Sequence, residues 1–226
     1  MKRNPDGNQA SHQACHQPSH HDSPQHALHA RGGDSTRDTR RAILDAAVSL
    51  FSEHGHHNFS LRQVAREIGY TPTTIYLYFE DKDDLLYHVT MEAYNDFGDK
   101  VYAGYMAASD PLAGFLGICK AYVGFGLANP FHYRIMFIDR VDFLQRTPPA
   151  GMEKPLDSFA LLVQSIDECI RAGLFRPGDP EILAATVWAT VHGIVTVATV
   201  TPYLNKHQIT LVEEAAYEMM QAGLRR

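Results

Sequence analysis

A chain of 226 residues with 45% apolar and 10% aromatic content can bury one large core or two modest ones. The formal net charge is -6, and residues 31–90 hold seven basic against nine acidic groups. No domain is basic overall, so any affinity for a polyanion rests on local placement. Cys15, Cys119 and Cys169 are odd in number and lack CxxC spacing, which argues against a disulfide framework or zinc cluster and fits a reducing cytoplasm. No basic flank with an apolar run marks an export signal.

Residues 1–35 are polar and rich in His, Gln, Ser, Pro and Gly, a composition that cannot bury enough surface to offset ordering, so this tail is expected to be disordered. It holds Cys15 and six of the thirteen histidines, His12, His16, His20, His21, His26 and His29. Two readings stand: a solubilising tail or a transition-metal tract. Structure is expected from Ser35 or Thr36, with Ile43, Ala46, Ala47, Leu50 and Phe51 at helical spacing and Gly55 as the stop. His54, His56 and His57 around that stop read as an exposed turn or, alternatively, as metal ligands. Two short helices follow, about 61–68 and 72–78, split by Gly69. A longer one opens at Asp81, whose carboxylate caps while Asp83 and Asp84 suit the positive end of the dipole, and runs to about 108.

Beyond that, Asp110-Pro111 and Asp179-Pro180 each pair a cap with proline at the first helical position, and Pro130 breaks the intervening helix. Residues 147–151 form a loop, a helix runs from near Lys154 to Gly173, and the last two span about 180–201 and 208–224. Ile182 to Val200 contains no charge and is long enough to cross a membrane, but it includes Thr186, Thr190, His192, Thr196 and Thr199 and lacks a basic or aromatic girdle. A buried or subunit-interface helix is the expectation. No alternating apolar pattern of useful length occurs, so the fold class is all-α.

The densest signal lies between Phe59 and Phe79. Ser60 caps a first helix whose buried face is Val64, Ala65 and Ile68; Gly69 permits a tight turn; Thr71 caps a second helix with Pro72 at its first position. Thr73, Thr74, Leu77 and Tyr78 are expected outward, Ile75 and Phe79 inward. Hydroxyls and tyrosines at such a helix suit phosphates and base edges in a major groove. Arg37, Arg40, Arg41, Arg62, Arg66 and Lys82 lie in or beside these helices. Tyr76 and Tyr78 can instead pack the small domain.

On these residues the stretch from Ile43 to Leu86 resembles the N-terminal domain of the tetracycline-repressor (TetR) family: Ile43-Leu44-Asp45-Ala46-Ala47, Leu50-Phe51, Gly55, the helix-turn-helix, and the run from Thr74 to Leu85. Thr73 departs from the glycine or alanine common there. The resemblance implies DNA contacts from Ser60, Arg62, Thr71, Thr73, Thr74, Tyr76, Tyr78 and Lys82, with Arg62 able to reach a guanine edge. It divides the chain into the tail (1–35), a three-helix helix-turn-helix DNA-binding domain (36–86) and a helical bundle for dimerisation and ligand binding (87–226).

The body is similar to a narrower branch with a Trp-His-Gly motif, here Trp188 to Gly193, and a companion run His132-Tyr133-Arg134-Ile135-Met136-Phe137. That likeness implies a homodimer through the last two helices and an apolar inducer pocket. Phe125, Tyr133, Met136, Trp188 and His192 are the candidate ligand residues, and Phe115, Tyr122 and Phe137 can also line a cavity. Trp188 and His192 share a helix face, so His192 either orients a ligand or is a hydrogen-bonded core histidine. Gly193 suits a close helix crossing. No GxSxG, HExxH or phosphate-binding glycine loop is present, so no enzyme, cofactor or metal centre is expected. The expected function is a cytoplasmic, ligand-responsive repressor acting as a homodimer on a palindromic DNA operator, without membrane attachment. The alternative is a metal-responsive regulator sensing through its histidines.

Overall fold

The computed structural model describes residues 27–54, 59–148, 155–200 and 204–225. The chain divides into two compact units, residues 1–39 and 40–226. The first shows only the opening turns of α1 among its described residues. The second holds everything discussed below. Residues 1–26, with most of the histidine tail and Cys15, lie outside the described residues, as do Gly55, His56 and His57.

Among the described residues the secondary structure is helical, with one isolated backbone bridge between Phe175 and Arg225. The helices are α1 (Ala27–His54), α2 (Leu61–Glu67), α3 (Pro72–Tyr76), α4 (Lys82–Met106), α5 (Pro111–Ala128), α6 (Pro130–Arg134), α7 (Ser158–Arg171), α8 (Pro180–Val200) and α9 (Lys206–Leu224). A π turn, Ile135–Asp139, and a 3-10 turn, Val141–Gln145, follow α6.

The expected caps form. Asp81 accepts from the Asp84 amide at 2.8 Å and Asp110 from Ala113 at 2.9 Å; Asp157, which was not expected to cap, accepts from Ala160 at 3.0 Å. Asn205 and Gln208 close a reciprocal capping box on α9. Two boundaries differ from expectation. Helix α1 starts at Ala27 rather than near Thr36, running through Gly32 and Gly33 against their propensity, for which the structure offers no local explanation. Helix α7 starts at Ser158 rather than Lys154, because Asp157 takes the cap. Helix α4 runs from Lys82 to Met106, close to the expected span.

Ile43, Ala47, Phe51, Val64, Ala65, Ile75, Phe79 and Leu85 bury the head of the second unit, and Phe51 meets the Phe59 ring edge-on at 3.8 Å. In the body, α4 crosses α5 where Gly104 faces Gly117: a methyl on Gly104 would lie 2.7 Å from the Gly117 carbonyl oxygen, and one on Gly117 would collide with that of Gly104. Gly126 on α5 similarly admits the Val195 side chain of α8. The close crossing expected at Gly193 does not form within the single chain. A side chain there meets nothing within 4 Å, and the backbones approach at Gly104, Gly117 and Gly126 instead.

Among the described residues two helices, α5 and α8, are long and apolar enough to cross a membrane, where the sequence pointed to α8 alone. Both pack in the bundle. α8 buries Leu183, Ala184, Val187, Val191, Ile194 and Val195 and leaves Ile182, Val197 and Val200 exposed.

Candidate nucleic-acid interface and internal cavity

Local chemistry positions α2 and α3. The Ser60 hydroxyl accepts from the Gln63 amide at 3.3 Å while donating to Gln63 Oε1 at 2.9 Å, fixing the start of α2. Gly69 takes φ +71°, the left-handed region that a side chain resists, and turns the chain toward α3. Thr71 Oγ1 accepts from the Thr74 amide at 3.3 Å and lies 3.0 Å from the Thr74 hydroxyl. The assigned helix ends at Tyr76, and the Phe79 amide still donates to the Ile75 carbonyl at 3.1 Å, carrying one more turn.

Ile75 and Phe79 anchor this turn in the core, as expected. Their burial, worth about 1.5–3 kcal/mol each, forces the intervening residues outward: Tyr76 is 56% exposed and Leu77 79%. Arg62, Thr71 and Thr73 are exposed on the same two helices and their cap. Thr74, Tyr78 and Lys82 are half-buried, Thr74 through its cap contact and Tyr78 by packing on the core. The Lys82 ammonium lies 4.3 Å from the Phe59 ring centre, and burial lowers its pKa from the ordinary lysine value.

Two expected basic groups are committed elsewhere. Arg40 and Arg41 each donate to Glu92 at 3.3 Å, and Arg41 also pairs with Asp45 at 2.9 Å. Arg40 further contacts His88 Nδ1 at 2.9 Å, and burial with the nearby guanidinium lowers the His88 pKa. These arginines brace α1 against α4.

The body holds a partly open cavity of about 580 Å³, lined from α4 by Met91, Tyr94, Phe97 and Val101, from α5 by Ile118, Cys119 and Tyr122, and from α8 by Val187, Trp188 and Val191. Met136 and Phe137 of the π turn, Phe143 and Arg146 complete one wall. The Tyr94 hydroxyl donates to the Met136 carbonyl at 2.6 Å, holding that turn against α4. Burial pushes the Cys119 thiol up to about 12, leaving it protonated and inert at neutral pH.

Of the candidate ligand residues, Met136 and Trp188 line the cavity, and Phe125, Tyr133 and His192 stand outside its lining. Tyr133 and His192 join it through hydrogen bonds. Trp188 Nε1 donates to the Tyr122 oxygen at 3.1 Å, that oxygen lies 3.2 Å from the Tyr133 hydroxyl, and His192 Nδ1 is 2.5 Å from Tyr133. Burial lowers the His192 pKa, favouring the neutral ring. The sequence reading missed the α4 wall, although Met91, Tyr94, Phe97 and Val101 recur at helical spacing, and it missed Arg146, which carried no periodic signal. Among the described residues no group of three His, Cys, Asp or Glu side chains is arranged to hold a metal ion.

An exposed two-helix head and a helical body around an apolar cavity define a helix-turn-helix regulator architecture. Comparison with known proteins makes the assignment specific. The profile of bacterial regulatory proteins of the tetR family matches residues 43–89, and that of the tetracyclin repressor-like C-terminal domain matches residues 115–222. The chain belongs to the tetracycline-repressor family, whose members are regulators rather than enzymes.

A fatty acid metabolism regulator protein of Bacillus subtilis is 36% identical over 59 residues, covering 26% of this chain and 30% of its own length. An HTH-type transcriptional regulator of Mycobacterium tuberculosis is 29% identical over 151 residues, 61% of this chain and 60% of its own. The chain thus spans less than two thirds of these curated relatives. A Rhodococcus sp. RHA1 protein of unknown function superposes with a TM-score of 0.68 at 27% identity, over 83% of this chain and 95% of that one. The fatty acid degradation regulator FadR of Bacillus halodurans, at 21% identity and a TM-score of 0.67 over 83% and 97% of the two chains, shares the fold.

Proposed function

We propose that this protein is a transcriptional repressor that binds a palindromic operator as a homodimer and releases it when a small molecule occupies the body. The outward face of α2 and α3 carries the reading. Ile75 and Phe79 anchor the α3 turn while Arg62, Thr73, Tyr76 and Leu77 face solvent. That arrangement suits insertion into a major groove, with Arg62 toward a guanine edge, Thr73 and Thr74 toward bases, and Ser60, Thr71, Tyr76, Tyr78 and Lys82 toward the phosphates.

Dimerisation is supported by apolar side chains left bare on the last two helices: Ile182 (65% exposed), Val200 (68%) and Met219 (74%), with Leu211 beside them. Two copies of α8 and α9 bury that surface as a four-helix interface. The cavity falls within the size range of small-molecule sites and is walled by aromatic and aliphatic groups. The Trp188–Tyr122–Tyr133–His192 chain, with Gly193 next to it, supports assignment of the body to the Trp-His-Gly branch. We place the 36–86 head and 87–226 body as working halves, and the protein in the cytoplasm with the chromosome.

Selection of binding sites from a random duplex pool tests the proposal. Wild type enriches a symmetric sequence whose halves are centred about 34–36 Å apart or a multiple of that distance. Arg62→Ala loses preference at one position per half-site, at a cost of about 1–3 kcal/mol. Absence of any enriched sequence would refute the proposal.

A further inference from the structure

Besides its tyrosines, the cavity is lined by three polar or charged groups of distinct kind, Arg146, Asp157 and Ser158. Asp157 is engaged as the cap of α7, accepting from the Ala160 amide, and it stands at the positive end of that helix. The Ser158 hydroxyl is buried and meets no hydrogen-bond partner among the described residues. Ser158 lines the cavity and nothing holds its hydroxyl, so the side chain is free to turn toward a polar ligand atom there.

Arg146 lines the cavity with its guanidinium over the Phe143 ring at 4.5 Å, and one of its nitrogens ties it to two carboxylates. Its Nη2 donates to Asp83 at 2.8 Å and to Asp142 at 3.3 Å, and among the described residues its Nε and Nη1 donors meet no acceptor. Arg140 binds the same two carboxylates, Asp83 through Nη1 and Asp142 through Nε and Nη2 at 3.0 Å each. Arg146 is therefore the redundant cation: if it leaves, neither carboxylate loses its arginine. With side chains 42% and 45% exposed, the Arg146–Asp83 pair is a weak tie. A carboxylate shielded by apolar walls pairs with a guanidinium more strongly than one in water.

We propose that the cavity takes an organic carboxylate with an apolar body, whose head accepts hydrogen bonds from Arg146 and Ser158 and draws the guanidinium off Asp83. This rests on the reading of the cavity as an effector site and specifies its ligand class. Asp83 lies in the first turn of α4, next to Lys82 and two residues past the Asp81 cap. Occupancy thus removes one of two arginine ties from the end of α4 that follows the recognition helix. A neutral ligand of the same shape fills the cavity and leaves the tie in place. A cationic ligand meets Arg146 and the α7 N-terminus, with Asp157 already committed.

Trp188 is the single tryptophan and lines the cavity, so its emission reports occupancy. Full-length wild type, Arg146→Gln, Ser158→Ala and Asp83→Asn are titrated with decanoate and decanamide, and with 4-butylbenzoate and 4-butylbenzamide to separate alkyl from aryl bodies. At least one acid is expected to bind wild type about tenfold more tightly than its amide, the scale of one charge-assisted hydrogen bond. That preference shrinks in Ser158→Ala, disappears in Arg146→Gln and grows in Asp83→Asn, where the competing carboxylate is gone. Hydrogen exchange over residues 80–88 rises with the acid and not with the amide. Equal binding of acid and amide overturns the proposal while leaving the cavity a ligand site. No response to any of the four compounds removes both. A preference that survives Arg146→Gln overturns the assigned residue.

Discussion

Replacing Gly117 with alanine tests the packing that shapes the cavity, because two opposing effects have known sizes. In a helix interior, alanine is favoured over glycine by about 0.8–1.0 kcal/mol. At Gly124, on the same helix, an added methyl meets nothing within 4 Å, so Gly124→Ala gains that propensity undiminished. At Gly117 the methyl collides with the Gly104 carbonyl oxygen, a backbone atom that cannot rotate away. Overpacking costs about 1–3 kcal/mol, so Gly117→Ala ends up destabilised by up to about 2 kcal/mol while Gly124→Ala is stabilised. At this chain length each kcal/mol moves Tm by about 2–4 °C, and the two variants separate by several degrees in calorimetry at one protein concentration. If both melt above wild type by the same margin, the α4–α5 crossing is not where the structure puts it.

Other consequences follow from single contacts. Gly69→Val, forced into a φ of +71°, loses about 1–2 kcal/mol and weakens DNA binding in a gel-shift assay; unchanged stability and binding would contradict the turn. Tyr122→Phe strands the Trp188 indole N–H and removes a partner of Tyr133, costing about 1–3 kcal/mol and shifting the single tryptophan's emission; an unmoved spectrum contradicts the hydrogen-bond chain. Arg140 beside Asp83, with help from Arg146, holds the Asp83 carboxyl below the usual carboxylate range. Its stabilising effect is complete above that usual range and is lost as pH falls through the depressed value, so Asp83→Asn flattens the acid limb of the melting profile. An unchanged acid limb would show that the tie contributes nothing.

What was legible in the sequence was local. Asp81, Asp110 and Thr71 announce helix starts through their own side chains, and Ile75 and Phe79 declare a buried face by spacing alone, so the head could be read residue by residue. The exposed apolar groups on α8 were visible only as part of an unbroken uncharged run, which by itself does not separate a membrane span from an interface. The cavity was less accessible. Tyr133 and His192 looked like lining residues but hydrogen-bond behind the wall, because which side of a core aromatic meets empty space depends on the helices around it. Arg146 follows an irregular turn, and its pairing with Asp83, 63 positions earlier, has no periodic signature. Within one chain the close crossings fall at Gly104, Gly117 and Gly126 and not at Gly193, since a glycine's role depends on what faces it.

The central claim is that α3 of two subunits enters successive major grooves of one duplex. Methylation protection at guanine N7, an atom exposed only in that groove, on the enriched duplex reads this directly. The account predicts two symmetric protected patches about 34–36 Å apart, or a multiple, on one face of the DNA, and their loss with Tyr76→Ala. A single unsymmetrical patch, or binding that leaves every guanine N7 unprotected, contradicts it.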